Sequence, residues 1–153
     1  RSDHPTNVYD MSTRGIRNNN PANIRRGSYW RGLVNKPTDK EFCQFISMSW
    51  GVRALLITLR TYVVKHHLHT VREIITRWAP PTDGNNTEKY IEYVEKAIEQ
   101  IEPPLPPSLQ NIDFMSLSQH SECVLYIVAK AMCKIESGYN LEYATYLNAF
   151  FLM

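Results

Sequence analysis

Two patterning regimes meet near residue 49. Residues 11–49 are polar and turn-rich, and Asn18-Asn19-Asn20-Pro21 is their clearest local signal. Asparagine tolerates left-handed backbone and bonds its own backbone, so the triplet predicts an ordered turn. Short extended pieces are expected around residues 22–25 and 41–46, too little for a large sheet.

From Ser49, the expected N-cap, the apolar period becomes helical, with Val52, Leu55, Leu56, Leu59 and Val63 on one face. A shorter helix follows Thr70 and carries Val71, Ile74, Ile75 and Trp78. It stops at Ala79-Pro80-Pro81, because the residue before proline avoids the helical region. A third begins after a Thr87 cap and aligns Ile91, Val94, Ile98 and Ile101. The stretch Glu102-Pro103-Pro104-Leu105-Pro106-Pro107 reads as a stiff spacer. Asp113 then caps a helix, short or long, running towards Glu136 with Val124, Ile127, Val128, Ala131 and Ile135 buried. Gly138 ends it, and a final aromatic-rich helix is expected over about residues 140–152. The pattern is mainly α with a small irregular or β-like lobe.

A chain of 153 residues is long enough for one domain with a real core. At 43% hydrophobic and 21% charged it is neither a disordered tail nor a membrane span, and no apolar run approaches the ~20 residues a span needs. Three cysteines (Cys43, Cys123 and Cys133) lack metal spacing and exclude a disulfide scaffold. Cys123 and Cys133 fall in apolar helical surroundings, where buried free thiols are expected. No signal peptide is visible, and residues 1–10 read as a leader or tag remnant ahead of Met11. Charge is uneven. Residues 1–80 hold thirteen Lys and Arg against five acids, a net +8; residues 81–153 hold four against ten, a net −6, giving the overall +2. Either the halves neutralise each other, or the basic half meets an anionic partner.

The most informative local feature is Ile135-Glu136-Ser137-Gly138-Tyr139-Asn140, a glutamate at the end of an apolar helix. Helix C-terminal carbonyls disfavour a nearby anion, and burial disfavours it further. Both favour the protonated acid that glycoside cleavage needs to protonate a leaving oxygen. From spacing alone, a surface glutamate reaching solvent past a glycine cap is the simpler reading.

That segment resembles the catalytic helix end of lytic transglycosylases and related lysozyme-like enzymes. Asn18-Asn19-Asn20-Pro21-Ala22-Asn23-Ile24, then Trp30, Gly32, Phe42, Phe45, Ser47 and Gly51, resembles one cleft wall of peptidoglycan glucosaminidases. Trp78-Ala79-Pro80-Pro81 with Asn85-Asn86-Thr87 and Tyr90-Ile91 resembles the opposite wall. More closely, the stretch from Arg14-Gly15-Ile16-Arg17 through Tyr90 is similar to small phage and prophage proteins labelled structural protein P5, a match over half to two thirds of the chain.

The resemblance implies a single lysozyme-like helical domain over residues 11–153. Glu136 would be general acid/base on the glycan between N-acetylmuramic acid and N-acetylglucosamine, with no metal or cofactor. In the usual order the catalytic glutamate precedes the Asn-rich segment, whereas only Asp3 and Asp10 precede Asn18 here. A circular permutation is therefore expected, requiring Glu136 within about 10 Å of both the Asn18–Asn23 turn and the Trp78–Tyr90 segment, since chain termini often lie close together. One acid can suffice where an N-acetyl group assists; if a second is needed, Asp39, Glu41 and Asp83 are candidates.

For substrate binding, Tyr29, Trp30 and Trp78 can stack on sugar faces. Asn19, Asn20, Asn23, Gln44 and Asn86 can bond hydroxyl or acetamido groups, and Tyr90 lines the second wall. Trp50 suits core or cleft equally. Arg14, Arg17, Arg25, Arg26 and Arg31 suit an anionic wall polymer. His66, His67 and His69 lack further ligands for a metal and read as a helix end. No basic recognition helix supports a nucleic-acid partner. The expected partner is peptidoglycan, reached from a virion or by delivery to the cell wall or periplasm. Two alternatives stand: a non-catalytic virion or wall-binding protein of the same fold, and a peptide-stem endopeptidase.

Overall fold

The computed structural model describes residues 13–100 and 121–153. Among these the chain is mainly helical, with α1 (Arg14–Arg17), α2 (Met48–Val64), α3 (Val71–Trp78), α4 (Thr87–Glu99), α5 (Ser121–Ser137) and α6 (Tyr143–Leu152). The expected leader, Ile101, the proline-rich spacer, the Asp113 cap and the Cys123 side chain lie outside the described residues. The chain divides into two units: Arg1–Leu56 with Met132–Met153, and Ile57–Ala131.

In the first unit, α1 is one turn. It ends at Asn18, whose N–H bonds the Arg14 carbonyl at 3.0 Å, and Asn19 then takes a left-handed φ of 52°. The lobe is held by two isolated antiparallel bridges, Arg25 with Phe42 and Leu33 with Phe45, rather than by strands among the described residues. The physical reason is backbone punctuation: Asn23, Gly27 and Gly32 all have positive φ, which no regular ladder accepts. Ile16, Ala22, Ile24, Cys43 and Phe45 are buried there, as are Val52, Leu55 and Leu56 on α2.

Helix α2 starts at Met48, so Ser49 lies inside it, and its hydroxyl donates to the Thr145 carbonyl at 3.1 Å. Arg53, itself buried, donates to the Leu152 carbonyl at 3.0 Å and so satisfies an orphan carbonyl at the end of α6 with a cation. Helix α6 starts at Tyr143, later than expected, and buries Tyr146 and Ala149. The end of α5 is closed by Gly138 at φ 84°, whose N–H bonds the Lys134 carbonyl at 2.9 Å.

In the second unit, α3 opens with a capping box: the Thr70 side chain accepts from the Glu73 N–H, and the Glu73 carboxylate accepts from the Thr70 N–H. Helices α3 and α4 pack together, and an Arg72–Glu88 ion pair at 2.7 Å spans them. The cap of α4 is Asn86, accepting from the Lys89 N–H. Thr87 is the first helical residue, and its hydroxyl donates to the Ala79 carbonyl at 2.6 Å. Val71, Ile74, Ile75, Ile91, Val94 and Ile98 are buried as the periodicity predicts, and Tyr90 is buried too. On α5 Val124, Val128 and Ala131 are buried, whereas Ile127 is half-buried and Ile135, in the first unit, is exposed, so the expected stripe is narrower.

Candidate functional site

Glu136 is the penultimate residue of α5 and is half-buried. The Asn23 side-chain nitrogen donates to its backbone carbonyl at 3.0 Å and lies 3.4 Å from its carboxylate Oε1. The Asn-rich turn and the helix end carrying Glu136 are therefore in contact. Local chemistry explains the arrangement. Ser137 turns its hydroxyl back to the Cys133 carbonyl at 2.7 Å, Gly138 stops the helix, and the freed Glu136 carbonyl is satisfied by Asn23.

Asn23 is positioned by its own backbone. It adopts φ 55°, and its N–H bonds the Asn20 carbonyl at 3.0 Å. Gly15 leaves room for its amide, since a Cβ there would sit 2.8 Å from Asn23 Oδ1. Gly15 stands in the stretch that carries the phage-protein resemblance, but its packing against Asn23 was not visible in the sequence.

The other expected binding residues divide by what their polar atoms already do. Asn20 is fully buried: its amide donates to the Ile24 and Cys43 carbonyls and accepts from the Ile24 N–H. Asn19 donates to the Phe45 carbonyl at 3.0 Å. Gln44 accepts from the Thr38 and Asp39 N–H groups and donates to the Thr38 hydroxyl. These three build the lobe. Trp30 is half-buried, with its indole N–H directed inward, whereas Tyr29 is 88% exposed and free to stack. Tyr29, Arg26, Phe42 and Gln44 line a cavity of about 340 Å³, and Glu136 is not among its walls.

Trp78, Asn86 and Tyr90 belong to the second unit. Trp78 is half-buried and ends α3; Asn86 is the α4 cap, and Tyr90 is buried one turn later. Trp50 is half-buried in the first unit, with the Arg31 and Arg53 guanidiniums 5.5 and 5.4 Å from its ring centroid. Gly32 packs so closely on that ring that a Cβ would collide with it.

Asp39 is the carboxylate that sequence reasoning undervalued. It takes Arg14 through two nitrogens at 2.6 and 2.8 Å, the Asn18 amide at 2.9 Å, and the Glu41 and Phe42 N–H groups at 2.9 Å each. The Arg14 guanidinium, with these N–H donors, holds its carboxyl well below the usual carboxylate range. Glu41 pairs with Arg14 at 3.0 Å and Arg25 at 3.8 Å, and both guanidiniums stack on Phe42. The turn formers Pro37-Thr38-Asp39 were the available signal. Part of the basic excess is thus neutralised within the lobe.

Among the described residues no group of three His, Cys, Asp or Glu is placed to hold a metal. No described helix is long and apolar enough to cross a membrane.

The chain is similar to Protein P5 of Pseudoalteromonas phage PM2. The two are 43% identical over 94 residues, 59% of this chain. The chain spans 58% of the length of Protein P5. No family model matches the chain.

Proposed function

We propose that the chain is a phage-type protein that cleaves the glycan of peptidoglycan, with Glu136 as general acid and then base. The observation that carries the reading is the Asn23 amide on Glu136, because it joins two motifs that a lysozyme-like site needs together and that lie 113 residues apart in sequence. In the first step the Glu136 proton passes to the glycosidic oxygen as the C–O bond breaks. The carboxylate then takes a proton from the attacking hydroxyl or water. A one-carboxyl scheme suits the lobe, since Asp39 and Glu41 are committed to Arg14 and Arg25. Asp83 is exposed on the turn before α4.

Tyr29 is the stacking residue in this reading, and Arg17, Arg26 and Arg31 supply attraction for an anionic polymer. The site of action would be the cell wall, reached from the virion. The similarity to a phage protein also favours a second reading, a virion or wall-binding protein that retains the fold without catalysis. Turbidity loss of purified cell walls separates them. Wild type clears the suspension and Glu136→Gln is slower by about 100-fold or more, the scale of one general acid. Sedimentation with walls without release of soluble fragments selects the binding protein. Mass spectrometry of the products distinguishes glycosidic from peptide-stem cuts.

A further inference from the structure

We propose that Asn23 is a positioning residue for Glu136, not a sugar ligand, and that it holds the carboxyl through Oε1. The inference rests on the catalytic reading of Glu136 given above. The Asn23 nitrogen has two hydrogens and two neighbours on one residue, the Glu136 carbonyl at 3.0 Å and Oε1 at 3.4 Å. Its carbonyl oxygen Oδ1 is buried without a partner among the described residues, in the space that a Gly15 Cβ would otherwise fill. Reversing the amide would set Oδ1 against two acceptors, so contact with Glu136 fixes its orientation. The nitrogen is thus committed to Glu136 and Oδ1 is buried, so Asn23 presents no spare donor and no exposed acceptor to a hydroxyl.

The consequence for chemistry is positional. An amide N–H can bond a carboxyl oxygen whether or not the group is protonated, so Oε1 is held in both states. Because the same nitrogen bonds the Glu136 main-chain carbonyl and meets Oε1, it ties the carboxyl to its own helix end. Restricting a reacting group in this way is worth about tenfold to a hundredfold in rate.

Nuclear magnetic resonance of the Asn23 side-chain amide tests the contact independently of catalysis. In wild type its protons show nuclear Overhauser contacts to the Glu136 side chain and resonances displaced from those of a free amide. In Glu136→Ala that displacement collapses. Resonances without those contacts, or unchanged in Glu136→Ala, overturn the proposal.

Kinetics test the role. Asn23→Gly keeps the positive φ without strain and deletes the amide. It lowers kcat about tenfold to a hundredfold with KM within about twofold, the signature of lost positioning. A raised KM at unchanged kcat overturns the proposal in favour of a substrate contact. Wild type that releases no wall fragments would remove the catalytic reading, while the amide resonances would still decide whether Asn23 holds the carboxyl.

Discussion

The Asn23 side-chain nitrogen bridges the main-chain carbonyl and the carboxylate of Glu136, two residues separated by 113 positions. One short polar side chain therefore satisfies a helix end and restrains the acid presented there. The contact depends on a left-handed backbone at residue 23 and on a glycine at residue 15, both within the Arg-Gly-Ile-Arg-Asn-Asn-Asn-Pro-Ala-Asn stretch.

Gly15→Ala is expected to disturb the site more than the fold. Its Cβ would meet Asn23 Oδ1 and the Asn20 carbonyl at 2.8 Å each, so the Asn23 amide must shift. Wall-clearing activity should fall sharply, with a stability cost of about 1–3 kcal/mol, typical of overpacking. Gly51→Ala has the opposite emphasis. Its Cβ would collide far more deeply, with the Asn19 backbone carbonyl, so the first unit should be destabilised at least as much. Urea denaturation of both variants, set beside their activities, checks the contrast.

Asp39 makes stability depend on acid. Its folded-state carboxyl is held below its unfolded value of about 3.9, so its contribution is present above about pH 4 and is lost as pH falls further. Asp39→Asn should therefore be less stable than wild type at neutral pH, and the gap should narrow below pH ~4. Thermal denaturation across that range checks it; a gap that widens in acid would contradict the account.

Cys133 should be chemically silent. Burial pushes its thiol up to about 12, with the Glu136 charge adding to the shift and a hydrogen bond with Tyr146 opposing it. A thiol reagent at about pH 8 should leave the Cys133 peptide unlabelled in native protein and label it after unfolding, as peptide mass spectrometry would show.

Much of this was legible in the sequence because it is local. The stripe from Val52 to Val63, the Thr70 start, the Ala79-Pro80-Pro81 stop and the Gly138 stop each depend on neighbours within a turn or two. The Asn18–Asn20 turn was visible for the same reason. What sequence could not resolve is how polar side chains choose among distant backbone groups. Asn86 and Thr87 can both cap a helix, and the choice falls on Asn86 while the Thr87 hydroxyl bonds the Ala79 carbonyl. Asn20 and Gln44 look like sugar ligands by type, yet their bonds go to chain segments that come close only on folding. Asp39 resembles a solvated loop charge until Arg14, 25 residues earlier, closes on it.

Glu136 is proposed as the acid of a glycan-cleaving site. Purified cell walls incubated with wild type or Glu136→Gln, followed by mass spectrometry of the soluble fragments, test it most directly. Wild type should release glycan fragments cut between N-acetylmuramic acid and N-acetylglucosamine, and Glu136→Gln at least about 100-fold less at equal folded concentration. Equal release from the two proteins, or release of peptide stems alone, would contradict it.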